Sequence, residues 1–275
     1  MPQPLLKKCK DSDYQPLLKT RDKRCTSMEA LVRWSHPQHG LIPPDRFIPL
    51  AEQTGLITLL TEWVLRAALL QCHTWCCAGQ DLSVQVNISM RTLHDQGLPG
   101  MVEALLRETD VEPAHLALEI TENALMVDPA RTLEVLARLA QIGVRLAIDD
   151  FGTGYSSLAY LKHLPVDEVK IDKSFVRDLE HGRATGTLKD TAIVRAVIVM
   201  AHALGLEVVA EGVESSEAYT VLQGMGCDLT QGYYLSRPLP VAEIDQWLDN
   251  RKRQVSDRTG ASGGVGLGET SSPIG

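Results

Sequence analysis

The sequence is short of the features that mark several protein classes. Aromatic residues make up 5% of its 275 residues, and its six cysteines form no set of CxxC pairs. This spacing argues against a small domain held by disulfides or structural zinc. No stretch approaches about 18 consecutive apolar residues, so no membrane span is expected. Met1–Lys10 does not resemble a signal peptide, and reduced thiols in a cytoplasm are expected.

Basic residues are also in deficit, with 27 Lys and Arg against 35 Asp and Glu, for a formal net charge of −8. A protein that binds nucleic-acid polymers normally carries a basic stripe, so this balance argues against that class. A small anionic ligand remains compatible with the composition, because bound metal ions reverse the local field.

Four side chains able to bind metals fall within six positions, at Cys72, His73, Cys76 and Cys77, on a predicted helix. One interpretation is a metal or redox site. The favoured interpretation is that the cysteines are small buried hydrophobic residues, which is the commoner role of free thiols.

The chain is long enough for one large α/β core, since a single barrel takes roughly 200–250 residues. Residues 1–13 are interpreted as a polar tail or truncated edge, and residues 14–250 as one domain. Residues 251–275 are rich in Gly and Ser and are predicted to be disordered.

Segments with strand and helix patterns alternate through the domain, which predicts a largely parallel sheet. About eight strands favour a barrel, with an open doubly wound sheet as the alternative. Lys19–Cys25 is too short for a helical crossover, so the first two strands are predicted to be antiparallel. The predicted strands are Tyr14–Leu18, Thr26–Val32, Ser83–Ile88, Leu116–Ile120, Val144–Ile148, Glu168–Ile171, Glu207–Ala210 and one near Gly232–Leu235.

Polar and charged residues fall at the ends of these strands, and in a barrel the carboxyl ends of the strands form the face on which active sites are built. Seven strands are predicted to deliver such groups to one place. The residues that carry these groups are Glu29, Asn87, Glu119, Glu122, Asp149, Asp150, Lys170, Asp172, Glu211, Glu214 and Gln231.

Carboxylates with one carboxamide, and no His or Cys among them, suit hard divalent cations such as Mg²⁺ or Mn²⁺. Asp149 and Asp150 are placed to serve two ions, an arrangement used for phosphodiester hydrolysis. Lys170 would hold a positive charge near the attacking water, and Glu211 would take its proton or complete a metal's ligands. For any single acid the plainer interpretation is a helix cap or a solvated loop group, as with Asp172 ahead of Ser174.

A glycine-containing loop, Asp150–Leu158, follows the paired aspartates directly. It lacks the spacing of a phosphate-binding loop, so a gating or positioning loop is the better interpretation. Glu122 is expected to hold it by accepting hydrogen bonds.

A series of motifs in this order resembles the EAL domains, the bacterial cyclic di-GMP phosphodiesterases. The resemblance runs from about Tyr14 to Leu248. The motifs are Tyr14-Gln15-Pro16, Glu29-Ala30-Leu31-Val32-Arg33-Trp34, Asn87-Ile88-Ser89, Glu119-Ile120-Thr121-Glu122, Ile148-Asp149-Asp150-Phe151-Gly152-Thr153-Gly154, Lys170-Ile171-Asp172, Ala210-Glu211-Gly212-Val213-Glu214 and Gln231-Gly232-Tyr233-Tyr234.

The resemblance implies an α/β fold, a variant TIM (β/α)8 barrel with an antiparallel first strand. It implies a two-metal hydrolase that converts cyclic di-GMP to linear 5′-pGpG with two divalent cations, Mg²⁺ or Mn²⁺. One ion would be held by Glu29, Asn87, Glu119 and Asp149, and the other by Asp149, Asp150 and Glu211.

Further roles follow from the same resemblance. Glu211, Lys170 and Asp150 form the catalytic set, with Glu211 either general base or metal ligand. Glu122 and Glu214 would stabilise the loop. The residues expected near the nucleotide are Gln15, Leu31, Arg33, Asp172 and Gln231, with Arg33 suited to a phosphate oxygen.

The resemblance also implies a bacterial cytoplasmic domain that pairs as a homodimer and belongs to a longer sensor chain. The sequence departs from the family pattern in two places. The helix expected before Tyr14 is not recognisable, and the glycines expected around the first two strands are absent. An inactive cyclic di-GMP receptor acting through a partner, and a phosphohydrolase for another nucleotide, are the alternatives.

Overall fold

The computed structural model describes residues 11–154, 158–177, 179 and 188–260. Eight strands close into a barrel, and two short strands, β3 and β10, extend it at its edges. The strands are β1 (Asp11–Lys19), β2 (Cys25–His36), β3 (Gly40–Ile42), β4 (Ser83–Ile88), β5 (Leu116–Thr121), β6 (Arg145–Phe151), β7 (Glu168–Ile171), β8 (Glu207–Ala210), β9 (Leu229–Thr230) and β10 (Leu239–Pro240).

The barrel closes through β1, which pairs with both β2 and β9 in the antiparallel direction. The strands β2 and β4 to β9 pair with their neighbours in parallel. This confirms the predicted α/β barrel with an antiparallel first strand, and it excludes the open doubly wound sheet.

Helices surround the barrel, and their apolar faces form the main core with the outward side chains of the strands. Asp128 caps the helix Pro129–Ile142 by accepting a hydrogen bond from the Arg131 N–H, with Pro129 at the first helical position. None of the described helices is long and apolar enough to cross a membrane. The helices are α1 (Pro44–Thr54), α2 (Ile57–Cys77), α3 (Met90–Leu93), α4 (Leu98–Thr109), α5 (Glu122–Leu125), α6 (Pro129–Ile142), α7 (Leu158–Leu161), α8 (Lys173–Arg177), α9 (Leu188–Ala203), α10 (Ser216–Met225) and α11 (Val241–Gly260).

The inside of the barrel is divided into layers, because every second residue of a strand points inward. Leu17, Val209 and Leu229 form a small apolar cluster separate from the main core. Below it, towards the amino ends of the parallel strands, lies the lower layer: Lys19, Gln85, Arg145, Glu168 and Glu207. Above it lies the upper layer: Glu29, Asn87, Glu119, Asp149, Lys170, Glu211 and Gln231.

The strand predicted near Gly232–Leu235 is wrong, because the last barrel strand is Leu229–Thr230 and a turn follows it. At Gly232 the chain crosses so close to Val213 that a Cβ would lie 2.2 Å from the Val213 carbonyl oxygen. Only glycine fits there, and the Tyr234 N–H donates to that same oxygen.

The two ends of the domain differ from the predicted boundaries. Strand β1 begins at Asp11, three residues into the predicted tail, and α11 continues through Gly260. Residues 251–260, which were expected to be disordered, are helical. The rest of the segment expected to be disordered, residues 261–275, lies outside the described residues.

Candidate active site

A single buried ammonium group lies at the centre of the upper layer. Lys170, an inward residue of β7, is completely buried, and its Nζ lies 2.6 Å from a carboxylate oxygen of both Glu119 and Glu211. Glu29 lies further away, at 3.9 Å. Burial alone would lower the pKa of Lys170, but these carboxylates raise it well above its ordinary value of 10.5. Lys170 therefore stays protonated at neutral pH and acts as a fixed positive charge.

Amide side chains fix the position of the Glu29 carboxylate on β2. Asn87 Nδ2 donates to one oxygen at 2.8 Å, and Gln231 Nε2 donates to the other at 2.6 Å. Gln231 also donates to Gln15 Oε1 at 3.3 Å, which joins β1 to the cluster. Since each Nδ2 or Nε2 is the donor, the amide oxygens of Asn87 and Gln231 remain as acceptors.

The upper layer contains more negative charge than Lys170 neutralises, with four carboxylates for one ammonium. Burial raises the pKa of Glu211 to about 8, with Lys170 opposing the shift and Asp149 and Glu29 adding to it. Burial and the nearby Glu29 likewise raise the pKa of Glu119 well above its ordinary value. The excess of negative charge is an electrostatic cost that a bound cation would relieve.

A bulge in β6 explains how two consecutive aspartates reach the same end of the barrel. Ile148 pairs with Val169 and Phe151 with Ile171, so Asp149 and Asp150 share the space of one residue. Asp150 takes a left-handed conformation with φ of 54°, and its N–H donates to Asp149 Oδ1 at 2.8 Å. Burial and the charges of Asp149 and Asp172 raise the pKa of Asp150 to about 6.

Asp172 interacts with Ser174 on one side and with Asp150 on the other. Its Oδ1 accepts the Ser174 N–H at 2.9 Å, the capping contact weighed in the sequence. Although burial would raise the pKa of Asp172, the hydrogen bonds from Ser174 lower it overall. Asp172 thus stays ionised beside Asp150 and disfavours a second negative charge there.

Glu122 holds the start of the glycine loop. It is buried, and its Oε2 accepts the N–H groups of Gly152 at 2.8 Å and Gly154 at 3.2 Å. A Cβ on Gly154 would lie 3.0 Å from this carboxylate, so the contact depends on glycine. The rest of the predicted loop, residues 155–157, lies outside the described residues.

A cavity of about 380 Å³ opens over the upper layer and is lined by Gln15, Glu29, Asp149, Glu211 and Gln231. Glu214, an exposed residue, also lines it, and its expected contact with the glycine loop stays a prediction. The sequence interpretation missed Lys173, Arg177 and Tyr233, which border the same cavity. The signal for the two basic residues was their four-residue spacing just after the end of β7.

Three of the predicted nucleotide contacts, Leu31, Arg33 and Asp172, are not among the residues that line this cavity. Leu31 lines a neighbouring pocket of about 360 Å³, together with Asn87 and apolar residues of α1 and α2. Arg33 forms an ion pair with Asp13 of β1, with Nε 2.8 Å from Oδ2. Asp13 was assigned to the tail, and this contact depends on the register of two antiparallel strands.

The donors of the upper layer fit hard divalent cations. The cluster offers carboxylate and amide oxygens, and two buried oxygens, Glu119 Oε2 and Gln231 Oε1, have no hydrogen-bond partner. In the part of the chain that the structure describes, no three His, Cys, Asp or Glu side chains are arranged so that they could hold a metal ion together. The ammonium and amide contacts occupy the carboxylate oxygens, so binding a cation requires some of them to exchange.

A family model described as EAL domain matches residues 8–238. The chain belongs to the EAL domain family. It is 47% identical over 235 residues to an uncharacterized signaling protein of Caulobacter vibrioides, covering 85% of this chain and 28% of that protein.

A second relative is the bifunctional diguanylate cyclase/cyclic di-GMP phosphodiesterase MucR of Pseudomonas aeruginosa, 44% identical over 232 residues, with 84% of this chain and 33% of that protein covered. Among solved structures, the PaMucR phosphodiesterase in complex with c-di-GMP has a TM-score of 0.80 and 43% identity, covering 85% of this chain and 93% of that one. The chain therefore spans about a third of the length of the curated relatives it matches.

Proposed function

We propose that this EAL domain hydrolyses cyclic di-GMP to linear 5′-pGpG in a reaction that requires divalent cations, Mg²⁺ or Mn²⁺. The observation that carries the proposal is the upper layer, four carboxylates around one buried ammonium beneath an open cavity. Support comes from the family and from relatives named as cyclic di-GMP phosphodiesterases, such as NbdA of Pseudomonas aeruginosa, 45% identical over 236 residues, with 86% of this chain and 30% of that protein covered.

Glu29, Asn87, Glu119 and Asp149 would hold one cation, and Asp149, Asp150 and Glu211 a second. Bound there, the cations would neutralise charge on the phosphodiester and lower the pKa of a water molecule. Among the oxygen atoms of this cluster, Glu119 Oε2 and the amide oxygen of Asn87 are best placed to bind a cation.

The side chains of the domain supply the remaining steps. In the alternative to metal binding, the Glu211 carboxylate, which lies at the cavity, would accept the proton of the attacking water. Lys170 holds the Glu211 carboxylate in place at 2.6 Å and would supply a positive charge near the attacking water. Glu122 would keep the glycine loop folded over the reacting phosphate through its two backbone contacts.

Nucleotide binding would involve Gln15 and Gln231 at the cavity wall, Leu31 in the neighbouring pocket, and Asp172. For Arg33 to contact a phosphate, its guanidinium must share its ion pair with Asp13. The homodimer and the cytoplasmic location expected from the resemblance stay predictions.

The test is to incubate the purified domain with cyclic di-GMP and Mg²⁺ or Mn²⁺ and to follow 5′-pGpG by chromatography. Glu29→Ala should give no product, whereas Glu168→Gln, a buried acid of the lower layer, should retain activity. A folded wild type that binds the nucleotide without turnover would instead support the receptor alternative. Turnover of other cyclic nucleotides but not cyclic di-GMP would contradict the proposed substrate.

A further inference from the structure

A pair of side chains able to bind a metal lies near the carboxyl end of α2, apart from the upper layer. Cys77 is exposed, and its Sγ lies 3.4 Å from His73 Nε2. Residues four apart on a helix share one face, which is the spacing of the two histidines in helical zinc motifs. Helix α2 leads into the amino end of β4, so the pair lies at the opposite end of the barrel from the cavity.

The imidazole of His73 is oriented with a lone pair towards the thiol. Its Nδ1 lies 3.4 Å from the backbone oxygen of Asp110, the residue that directly follows α4. A carbonyl oxygen only accepts, so Nδ1 carries the hydrogen and Nε2 is left as the acceptor. Histidines that bind metals are commonly held in this way by a carbonyl at the other ring nitrogen.

The spacing of the two atoms matches a zinc chelate. Zn–S and Zn–N bonds of about 2.3 and 2.0–2.1 Å at a tetrahedral angle place sulfur and nitrogen about 3.5 Å apart. The observed separation is 3.4 Å. Little rearrangement of either side chain is needed for both to bind one ion.

The end of the helix also favours a cation. The carbonyl end of a helix carries partial negative charge, and no basic residue lies in the last turn of α2. The other two thiols of this segment face inward instead, with Cys72 Sγ 3.4 Å and Cys76 Sγ 3.9 Å from the Leu82 oxygen.

We propose that His73 and Cys77 form an accessory site for a borderline-soft divalent cation, best matched by Zn²⁺. Among the residues that the structure describes, no third His, Cys, Asp or Glu joins the pair, so water completes the coordination. Binding converts the Cys77 thiol to a thiolate, and its proton is released to solvent.

The test uses Co²⁺ as a spectroscopic substitute for Zn²⁺ on the freshly reduced protein with Mg²⁺ in excess. Thiolate ligation of Co²⁺ gives a near-ultraviolet charge-transfer band, whereas Co²⁺ bound to the oxygen donors of the upper layer gives none. The wild type should show a band that saturates and that Zn²⁺ abolishes. Cys77→Ser should remove the band, His73→Gln should weaken Co²⁺ binding at least about tenfold, and Cys76→Ser should leave it unchanged.

Cys77 is exposed whereas Cys76 faces inward, so circular dichroism checks that each variant is folded. Absence of the band in the wild type would overturn the proposal. A band that survives Cys77→Ser or that disappears in Cys76→Ser would also overturn it. An affinity for Co²⁺ that is unchanged in His73→Gln would do the same.

Discussion

The two polar layers inside the barrel are built from similar residues but differ in charge balance. The lower layer pairs two cations with two carboxylates: Arg145 contacts Glu207 at 2.5 Å and Glu168 at 3.8 Å, and Lys19 contacts Glu207 at 2.8 Å. The upper layer surrounds one ammonium with four carboxylates. Burial differs as well, since the side chains of Lys19, Arg145 and Glu207 are about one-third exposed and that of Lys170 is fully buried.

This difference separates charge that stabilises the fold from charge that serves a site. Paired charges in the lower layer satisfy one another and need no ligand. Unpaired charge in the upper layer raises the free energy of the folded protein unless a cation arrives, and such a cost is typical of functional sites.

The largest expected difference is in catalysis. Glu119→Gln keeps an acceptor for Lys170 but removes one carboxylate from the upper layer, and kcat/KM should fall on the order of 10³-fold. The melting temperature of the metal-free protein should stay the same or rise, because excess buried charge is lost. A large loss of stability in this variant would mean that Glu119 is a structural residue, contrary to the comparison.

Divalent cations should stabilise the upper layer directly. At about 100 times Kd, Mg²⁺ or Mn²⁺ should raise the free energy of unfolding of the wild type by about 2.7 kcal/mol. Glu119→Gln should show a much smaller increase, and Glu168→Gln, as the matched acid of the lower layer, the full one. Equal increases in both variants, measured by urea unfolding, would place the cations elsewhere.

The lower layer should affect stability rather than activity. Arg145→Met leaves Glu168 and Glu207 without their shared partner and should cost about 2 kcal/mol of unfolding free energy. Arg66→Met, which removes surface ion pairs with Glu62 and Glu108, should cost less than about 1 kcal/mol. Activity per folded molecule should change little in either variant, and loss of turnover in Arg145→Met would contradict the division.

The smallest effects should be opposite dependences of stability on pH. Without metal, the raised pKa of Glu211, about 8, means that the folded state binds more protons than the unfolded state between about pH 4.5 and 8. Stability should therefore fall as pH rises through that window. For Glu207, burial would raise the pKa but Lys19 and Arg145 lower it overall, so its contribution is present above about pH 4.5 and is lost as pH falls further.

Urea unfolding in EDTA across this pH range measures both dependences. Glu211→Gln should flatten the fall near neutrality, and Glu207→Gln should reduce the loss in acid. A wild type whose stability rises from pH 5 to 8 without metal would contradict the assignment for Glu211.

Much of this arrangement could be predicted from the sequence, because strand alternation fixes which residues point inward. Asn87, Glu119, Lys170 and Glu211 lie at or near the carboxyl ends of predicted strands, and the structure brings them together as the pattern indicated. The antiparallel first strand followed from the seven residues that connect it to the second.

What escaped prediction depends on contacts between distant segments. The turn at Gly232 was mistaken for a strand because Tyr233, Tyr234 and Leu235 favour strands locally, while the approach of Val213 decides the conformation. Whether Asp150 and Arg33 face the cavity depends on a bulge and on strand register, respectively. Neither is encoded in residue spacing.

The direction of β1 determines where another domain joined ahead of it would be attached. Because β1 runs opposite to the remaining barrel strands, Asp11 pairs with Arg33, beyond the Gln15–Glu29 pair on the side of the cavity. A module fused ahead of Asp11 would thus be tethered near the mouth of the cavity, at the opposite end from the lower layer. The length and stiffness of that junction would set how strongly movement of the module pulls on the strand that carries Gln15.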